Sequence, residues 1–213
     1  KVDQIGDPSG IVSGTLKITR DPLRLLIAEN AARVIEASGL LEDGFSFQTG
    51  AGGISLAVAG YVREMMKQKK IRGSFGSGGI TGFFVQMLEE GLFDALLDVQ
   101  SFDMDAVRSL RENPGHVEMS ASYYANPHNK GCAVNKLDAV ILGATQVDTK
   151  FNVNVNTESD GVLLHGIGGH MDTAAGAKLT IITTPLLRGR LPMIVDDVIT
   201  VTSPGETIDV VVT

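Results

Sequence analysis

Short apolar runs alternate along the chain with segments whose apolar positions recur every three or four residues. The runs are typical of buried β-strands, and the second pattern is typical of amphipathic helices. One helix begins at Pro22, with Asp21 as its N-cap, and ends before Gly39, because these residue types favour those positions. The first half of the chain further predicts strands at 45–49, 71–75, 95–99 and 117–120 and helices at 54–68, 80–90 and 103–112.

The second half continues the alternation. Between Val162 and Thr184 an apolar run, a glycine turn, a segment of small residues and a β-branched run predict strand, loop, helix and strand in that order. A buried strand is predicted at 138–142, and the alternating Val and Asn residues of 151–156 predict an edge or half-exposed strand. The remaining predictions are an irregular polar segment at 123–136, short β segments at 193–195, 199–202 and 208–212, and a lead-in at 1–20 with a turn at 7–10 and an extended segment at 11–19.

These repeated strand, loop and helix units define the fold class. With short connections, they predict an α/β fold with an open, mostly parallel sheet and helices on both faces. Ligands of such sheets bind at the carboxyl ends of the strands. No low-complexity segment or linker divides residues 1–213, so we expect one domain.

The motif Gly-x-Gly-Gly occurs three times, each time after an apolar run. Glycine lets the backbone approach a ligand closely, and the first N–H groups of a following helix have no partner within that helix. We therefore expect one composite pocket built by three turns, although each could equally be a tight connection without a ligand. The motif glycines are Gly50, Gly52 and Gly53, then Gly76, Gly78 and Gly79, then Gly166, Gly168 and Gly169.

Composition narrows the function. The formal charge of −7 and the scattered basic residues argue against a nucleic-acid binder, while small anionic ligands stay possible. Cys132 is the single cysteine, which excludes an internal disulfide and favours a cytoplasmic location. No apolar stretch is long enough for a membrane span, and because the chain starts at Lys1 without a Met we expect a fragment or a processed piece.

Other familiar chemistries fit the sequence poorly. A dinucleotide fingerprint needs a third glycine that all three motifs lack, although Gly82 and the more distant Asp98 keep a nucleotide-binding oxidoreductase as a weak alternative. No phosphate loop or nucleophile elbow is present, but Ser77 can still donate a hydrogen bond. We predict no metal site, because the four histidines lack ligand spacing: His116, His128, His165 and His170.

Two segments carry a family resemblance. Residues 165–178 resemble the Gly-Gly-Ala-Met-Asp-Leu segment of family I coenzyme A transferases, and 142–148, with Gly143 and Gln146, resemble their Leu-Gly-Ala-x-Gln-Val segment. Within that superfamily, residues 3–14 and 122–172 are most similar to the second half of the citrate lyase alpha chains, the citrate:acyl-carrier transferase subunits. The resemblance implies that residues 1–213 are a coenzyme A transferase-like domain from a longer, two-domain subunit.

The sequence departs from the superfamily at the nucleophile. Many coenzyme A transferases carry Glu-Asn-Gly where this chain has Ser77, Gly78 and Gly79, so the usual glutamate is missing. The resemblance therefore implies that a carboxylate of citrate attacks the acetyl thioester, forming a mixed acetyl–citryl anhydride. Ser77, Gly78 and Gly79 become oxyanion candidates, and Gly166, Gly168 and Gly169 are expected to line the thioester arm.

Other residues are assigned less sharply. Asp172 is expected to cap or brace its turn rather than transfer protons, and Gln146 either binds a carboxylate or stitches its loop. Asn152, Asn154 and Asn156 are expected to form a polar strand face. A tricarboxylate needs cationic partners, and no pattern selects among Arg72, Lys150, Lys178 and Arg188.

The resemblance also implies partners. We expect no tightly bound cofactor in this chain, since the coenzyme A-like prosthetic group belongs to a partner acyl carrier subunit. A lyase subunit and a homo-oligomeric assembly are further expectations, without nucleic acid or membrane. The main alternative is a non-catalytic docking half, whose pocket is completed by the missing domain.

Overall fold

The structure is a computed structural model that describes residues 16–126, 128–158, 160–164 and 166–213. The predicted turn at 7–10 and most of the predicted extended segment lie outside these residues. The helices are α1 Pro22–Ala37, α2 Gly53–Lys69, α3 Gly82–Glu89, α4 Met104–Glu112, α5 Ala121–Ala125 and α6 His170–Gly176, with short 3-10 helices at Ala133–Lys136 and Gly205–Thr207. The strands are β1 Ser46–Thr49, β2 Gly73–Ile80, β3 Phe93–Ser101, β4 His116–Glu118, β5 Ala139–Gly143, β6 Gln146–Asp148, β7 Val153–Asn154, β8 Leu179–Thr183, β9 Leu187–Arg188, β10 Leu191–Pro192, β11 Ile194–Val195 and β12 Val210–Val212.

Seven strands form the main sheet, in the order β12, β8, β5, β1, β2, β3, β4. Every neighbouring pair is parallel, which confirms the predicted sheet. The chain builds outward from β1 through β2 and β3 to β4, then returns to the other side of β1 with β5. Loops that leave β1 and β5 therefore diverge, and they open a crevice at the carboxyl ends of these strands.

Helices cover both faces of the main sheet. On one face the core includes residues of α1, α2, α3 and α4, and a row of rings runs through Phe45, Phe47, Phe84 and Phe93 with successive centroids 5.6, 6.1 and 6.0 Å apart. The other face is covered by α6 and by the small sheet of β11, β6 and β7, and beside them by α5 with the first 3-10 helix. No helix in the described part of the chain is long and apolar enough to cross a membrane.

Several predicted elements are wrong in place or type. Val162 and Leu163 do not form a strand of the sheet; Leu163 makes one isolated bridge with Thr157 and is 68% exposed. The second Gly-x-Gly-Gly motif is not a turn, because all four residues lie inside β2. Apolar content alone could not separate an exposed loop at 162–164 from a strand, or a strand made largely of glycine from a turn.

Smaller corrections concern the irregular parts. The predicted half-exposed strand at 151–156 shrinks to β7, whose two residues are both buried, because Phe151 has a φ of +66° and breaks the extended run. The predicted irregular segment at 123–136 holds most of α5 and a 3-10 helix, and the predicted β segment at 199–202 forms no named strand.

The start of α1 was predicted correctly, and it is stabilised by Asp21. The Asp21 carboxylate accepts hydrogen bonds from the backbone N–H groups of Leu23, at 2.9 Å, and Arg24, at 3.3 Å. An alanine at this position would leave both donors without a partner inside the protein.

Replacing this cap is expected to destabilise the chain. Asp21→Ala should lower the free energy of unfolding by about 1 kcal/mol, while Asp21→Asn should preserve most of it because asparagine caps equally well. Urea unfolding of both variants and the wild type measures the difference. No loss in Asp21→Ala, or equal losses in the two variants, would contradict the capping role.

Candidate functional site

A cleft of about 1020 Å³ opens at the carboxyl ends of the central strands, where the strand order reverses. The loops after β1, β5 and β8, the end of β3, and the segment that leads into α6 form its walls. Of the predicted site residues, those that line the cleft are Gly50, Gly52, Gly53, Gly79, Gly143, Gly166, Gly168, Gly169 and Asp172.

The first and third Gly-x-Gly-Gly motifs are brought together on this wall, as the composite pocket requires. Gly52 is the N-cap of α2, whose first residues Gly53, Ile54 and Ser55 face the cleft. The N–H groups at such a helix start have no partner within the helix and carry a partial positive charge. This end of the cleft therefore favours a negatively charged group.

The second motif takes a different position. Only Gly79 of its four residues lines the cleft, and it does so just after a register shift of β2 against β3. Ser77 is fully buried, and its hydroxyl donates to Oε1 of Gln48 at 3.0 Å. The expectation that the Ser77 hydroxyl faces the ligand therefore needs correction, since this side chain lies behind Gln48.

Gln48 links Ser77 to the cleft wall. Its amide nitrogen donates to the hydroxyl oxygen of Tyr124 at 2.7 Å, and both side chains line the cleft. Burial raises the pKa of Tyr124 to about 12, and the nearby charge of Asp172 contributes in the same direction. The Tyr124 phenol is therefore protonated at neutral pH.

His170 lines the cleft but is fully engaged. Its Nε2 lies 2.9 Å from the carbonyl oxygen of Gly143, which can only accept, so Nε2 carries the proton. Nδ1 then accepts from the Ser203 hydroxyl at 2.7 Å. Burial lowers the pKa of His170, and the ring is held as a neutral brace between the β5 loop and the tail of the chain.

Asp172 is the one carboxylate among the described residues that line the cleft. It lies in the first turn of α6, whose N-cap residue Gly169 has no side chain to cap the helix, and the capping or bracing role of Asp172 stays a prediction. Burial raises the pKa of the Asp172 carboxyl group, which means that its charge is poorly solvated.

The cationic side chains fall into two groups, those paired with carboxylates outside the cleft and those that line it. Three of the four cations considered from the sequence pair with carboxylates elsewhere: Arg72 with Asp94, Lys150 with Asp197, and Lys178 with Asp138. Arg188 lines the cleft, and so does Arg24 on α1. Two arginines and one carboxylate are thus among the described residues that line the cleft.

Three further residues considered from the sequence, Gln146, Asn154 and Asp98, do not line the cleft. Oε1 of Gln146 accepts from the Asn154 amide at 3.3 Å, which agrees with the loop-stitching alternative. Asn154 itself is buried and bonds Thr157, so the predicted polar strand face is wrong at this residue. Asp98 is buried against Ser101 and His116 and does not line the cleft, which removes the proposed ribose acid of the oxidoreductase alternative.

Sequence reasoning missed Gln48, Tyr124 and Arg24. A signal existed for Gln48, a large polar residue near the end of a predicted strand whose opposite face carries Phe45 and Phe47. Tyr124 lay in a segment interpreted as irregular, and Arg24 lay on an unremarkable polar helix face. Nothing local in the sequence shows that all three meet at one cleft.

Comparisons with known proteins are consistent along the whole chain. A sequence model of the family described as "Citrate lyase, alpha subunit (CitF)" matches residues 1–213. The citrate lyase alpha chain of Klebsiella pneumoniae is 53% identical over 213 residues, which are 100% of this chain and 42% of that protein. The chain therefore spans about two-fifths of the length of the curated relatives it matches.

Solved structures agree. The alpha subunit of citrate lyase from Streptococcus mutans, crystallised in complex with citrate, has a TM-score of 0.93 and 52% identity, over 100% of this chain and 42% of that chain. An acyl-CoA transferase from Escherichia coli O157:H7 shares the fold alone, with a TM-score of 0.56 and 18% identity over 94% of this chain and 36% of that one. The predicted coenzyme A transferase-like fold is confirmed.

The partly buried carboxyl group of Asp172 makes stability depend on pH. Because the folded-state pKa is raised, the protonated form stabilises the fold below the usual value of 3.8, and that contribution is lost as pH rises through the raised folded pKa. Asp172→Asn removes the charge. The thermal unfolding midpoint of the variant, measured relative to that of the wild type, should therefore increase as pH rises from about 4 to 8.

Asp196→Asn, which changes an exposed carboxylate outside the cleft, is the matched control. Thermal unfolding of both variants across the same pH series separates a local effect of Asp172 from general charge reduction. An equal gain in the two variants would contradict the assignment.

Proposed function

This chain belongs to the citrate lyase alpha subunit family, and on that premise we propose that it forms part of a citrate:acyl-carrier transferase. The proposed reaction exchanges the acetyl group on an acyl-carrier thioester for a citryl group. The main support for this proposal is the similarity, at 52% identity over the whole chain, to an alpha subunit that was crystallised with citrate. The acyl carrier subunit, a lyase subunit and a homo-oligomeric assembly are its proposed partners.

The charges of the cleft support an anionic ligand. Arg24, Arg188 and the start of α2 place positive charge around the space where β1 and β5 end. Arginine binds carboxylates through paired N–H donors, so two guanidinium groups suit a ligand with several carboxylates. We propose that citrate binds between them and that the thioester arm of the carrier lies along Gly166, Gly168 and Gly169.

The proposed reaction needs no group from the protein in its covalent steps. A citrate carboxylate oxygen attacks the acetyl carbonyl carbon, the carbon–sulfur bond breaks, and the carrier leaves as a thiolate. The thiolate then attacks the citryl carbonyl of the mixed anhydride, and acetate leaves with the bridging oxygen. Both steps pass through an oxyanion, for which the backbone of Gly79, the one residue of the second motif that lines the cleft, is the proposed stabilising region.

Positioning would then supply much of the rate. Holding two reactants in line can lower a barrier by about 7–11 kcal/mol, and oxyanion donors contribute about 3 kcal/mol more. The cleft contains no glutamate among the described lining residues, and its one carboxylate is Asp172. Among the described lining residues, Asp172 is therefore the carboxylate on which a covalent acyl-enzyme would be sought.

The absence of an acyl-enzyme can be tested directly. The full-length alpha chain is incubated with acetylated acyl carrier and citrate, then treated with hydroxylamine and analysed by peptide mass spectrometry. Exchange without a trapped protein acyl group is expected. A hydroxamate on Asp172 would overturn the anhydride route, and absence of exchange by the full-length chain would overturn the proposed function.

The citrate-binding role of Arg188 has a matched control in Arg190, a nearby exposed arginine that does not line the cleft. Arg188→Ala should raise the KM for citrate about 10- to 100-fold, because a hydrogen bond to a charged group is lost. Arg190→Ala should leave the KM near its wild-type value. Steady-state exchange kinetics at varied citrate concentration make the comparison, and equal KM values for the two variants would contradict the assignment.

A further inference from the structure

The Tyr124 hydroxyl occupies an unusual position in the cleft wall. It accepts a hydrogen bond from Nε2 of Gln48, and no acceptor for its own proton lies within hydrogen-bonding distance among the described residues. The side chain is buried except where it lines the cleft. Its proton is thus directed at the space that a ligand would fill.

The direction of this hydrogen bond follows from the orientation of the Gln48 side-chain amide, which also contacts Ser77. Oε1 of Gln48 can only accept, so the buried hydroxyl of Ser77 donates to it, and the amide nitrogen is left to donate to Tyr124. The chain of donors therefore runs from Ser77 through Gln48 to Tyr124. Its last free donor is the Tyr124 O–H.

Two glycines make room for this arrangement. A Cβ atom on Gly78, which has a φ of +97°, would lie 2.7 Å from Cδ of Gln48. A Cβ atom on Gly169 would lie 2.6 Å from the Tyr124 ring and 2.9 Å from its hydroxyl oxygen. Two of the three Gly-x-Gly-Gly motifs thus place their glycines against the donor chain itself.

We propose that Tyr124 contacts the substrate, donating a hydrogen bond to a carboxylate or thioester carbonyl oxygen in the cleft, and that Gln48 and Ser77 are positioning residues that aim this donor. The inference rests on the proposed transferase function, which it deepens. A neutral phenol suits this role beside Asp172, because a protonated donor attracts an anionic oxygen without adding a formal charge. The raised pKa of Tyr124 keeps the donor proton in place throughout the physiological range.

The test uses the full-length alpha chain with acetylated acyl carrier and citrate. Tyr124→Phe removes only the hydroxyl and should lower kcat/KM about 10- to 100-fold, with the unfolding midpoint close to that of the wild type. Tyr123→Phe is the matched control, since Tyr123 is 49% exposed and does not line the cleft. Wild-type kcat/KM in Tyr124→Phe, or equal losses in both variants, would overturn the inference.

The positioning roles need a different readout. Ser77→Ala should lower kcat/KM about 2- to 10-fold in the wild type but have no further effect in Tyr124→Phe, because Ser77 acts through that hydroxyl. Gln48→Glu should lose activity to the extent of Tyr124→Phe, since a carboxylate at this place draws the Tyr124 proton away from the cleft. Additive losses of kcat/KM in the Ser77→Ala, Tyr124→Phe double variant would show that Ser77 does not act through the Tyr124 hydroxyl and would overturn its positioning role.

Failure of the inference stays separate from failure of the proposed function. If the wild-type full-length chain exchanges acyl groups and the Tyr124 and Gln48 variants match it, only the inference fails. If the wild type neither exchanges acyl groups nor binds citrate by isothermal titration calorimetry, the proposed function fails first. Should Tyr124→Phe not fold, Gln48→Glu still tests the donor, because it keeps the phenol in place.

Discussion

The pairing of β1 with β5 determines where the cleft can lie. These neighbouring strands are parallel, but the chain continues from β1 toward β2 on one side of the sheet and from β5 toward β8 on the other. The loops that follow Thr49 and Gly143 therefore separate instead of packing together. The space between them is then open to solvent at the end of the sheet where backbone and side-chain donors converge. The α2 helix start, the β3 end and the approach to α6 are all arranged around that single gap.

Glycine serves two purposes in this gap. Gly50 and Gly52 shape the turn into α2, which is the use expected from the repeated motif. Gly78 and Gly169 instead leave space for the side chains of Gln48 and Tyr124. The same short motif therefore shapes the ligand space directly in one case and supports a polar side chain at its edge in another.

Much of the fold was accessible from the sequence. Helix starts with a cap and a proline, such as Asp21 and Pro22, depend on local chemistry, and the apolar runs of β1, β3, β5 and β8 fixed the sheet class. The run at 162–164 failed because an apolar stretch does not show whether a partner strand exists. The first part of β2 was predicted as a strand, but residues 76–79 were predicted as a turn, because no local pattern shows that Gly76 and Gly79 pack against Phe84 and Phe102.

For the site, the glycine motifs and Asp172 were found because they form continuous signatures. The sequence could not distinguish Arg188 from the other three candidate cations. The folded structure distinguishes it, because the other three pair with carboxylates outside the cleft. Gln48 and Tyr124 are 76 residues apart, and only the folded chain joins them. Residues that act through such distant pairs leave no periodic or spacing signal for a single sequence to reveal.

The two arginines of the cleft also affect how a ligand arrives. The chain carries a formal charge of −7, while the described cleft walls hold two guanidinium groups against one carboxylate. The net charge therefore repels an approaching anion at a distance, whereas the two guanidinium groups attract it at the cleft, and this combination favours encounters in which the anion meets the cleft first. Dissolved salt screens both the repulsion and the attraction. It would weaken these long-range effects at concentrations too low to weaken the short hydrogen bonds inside the cleft.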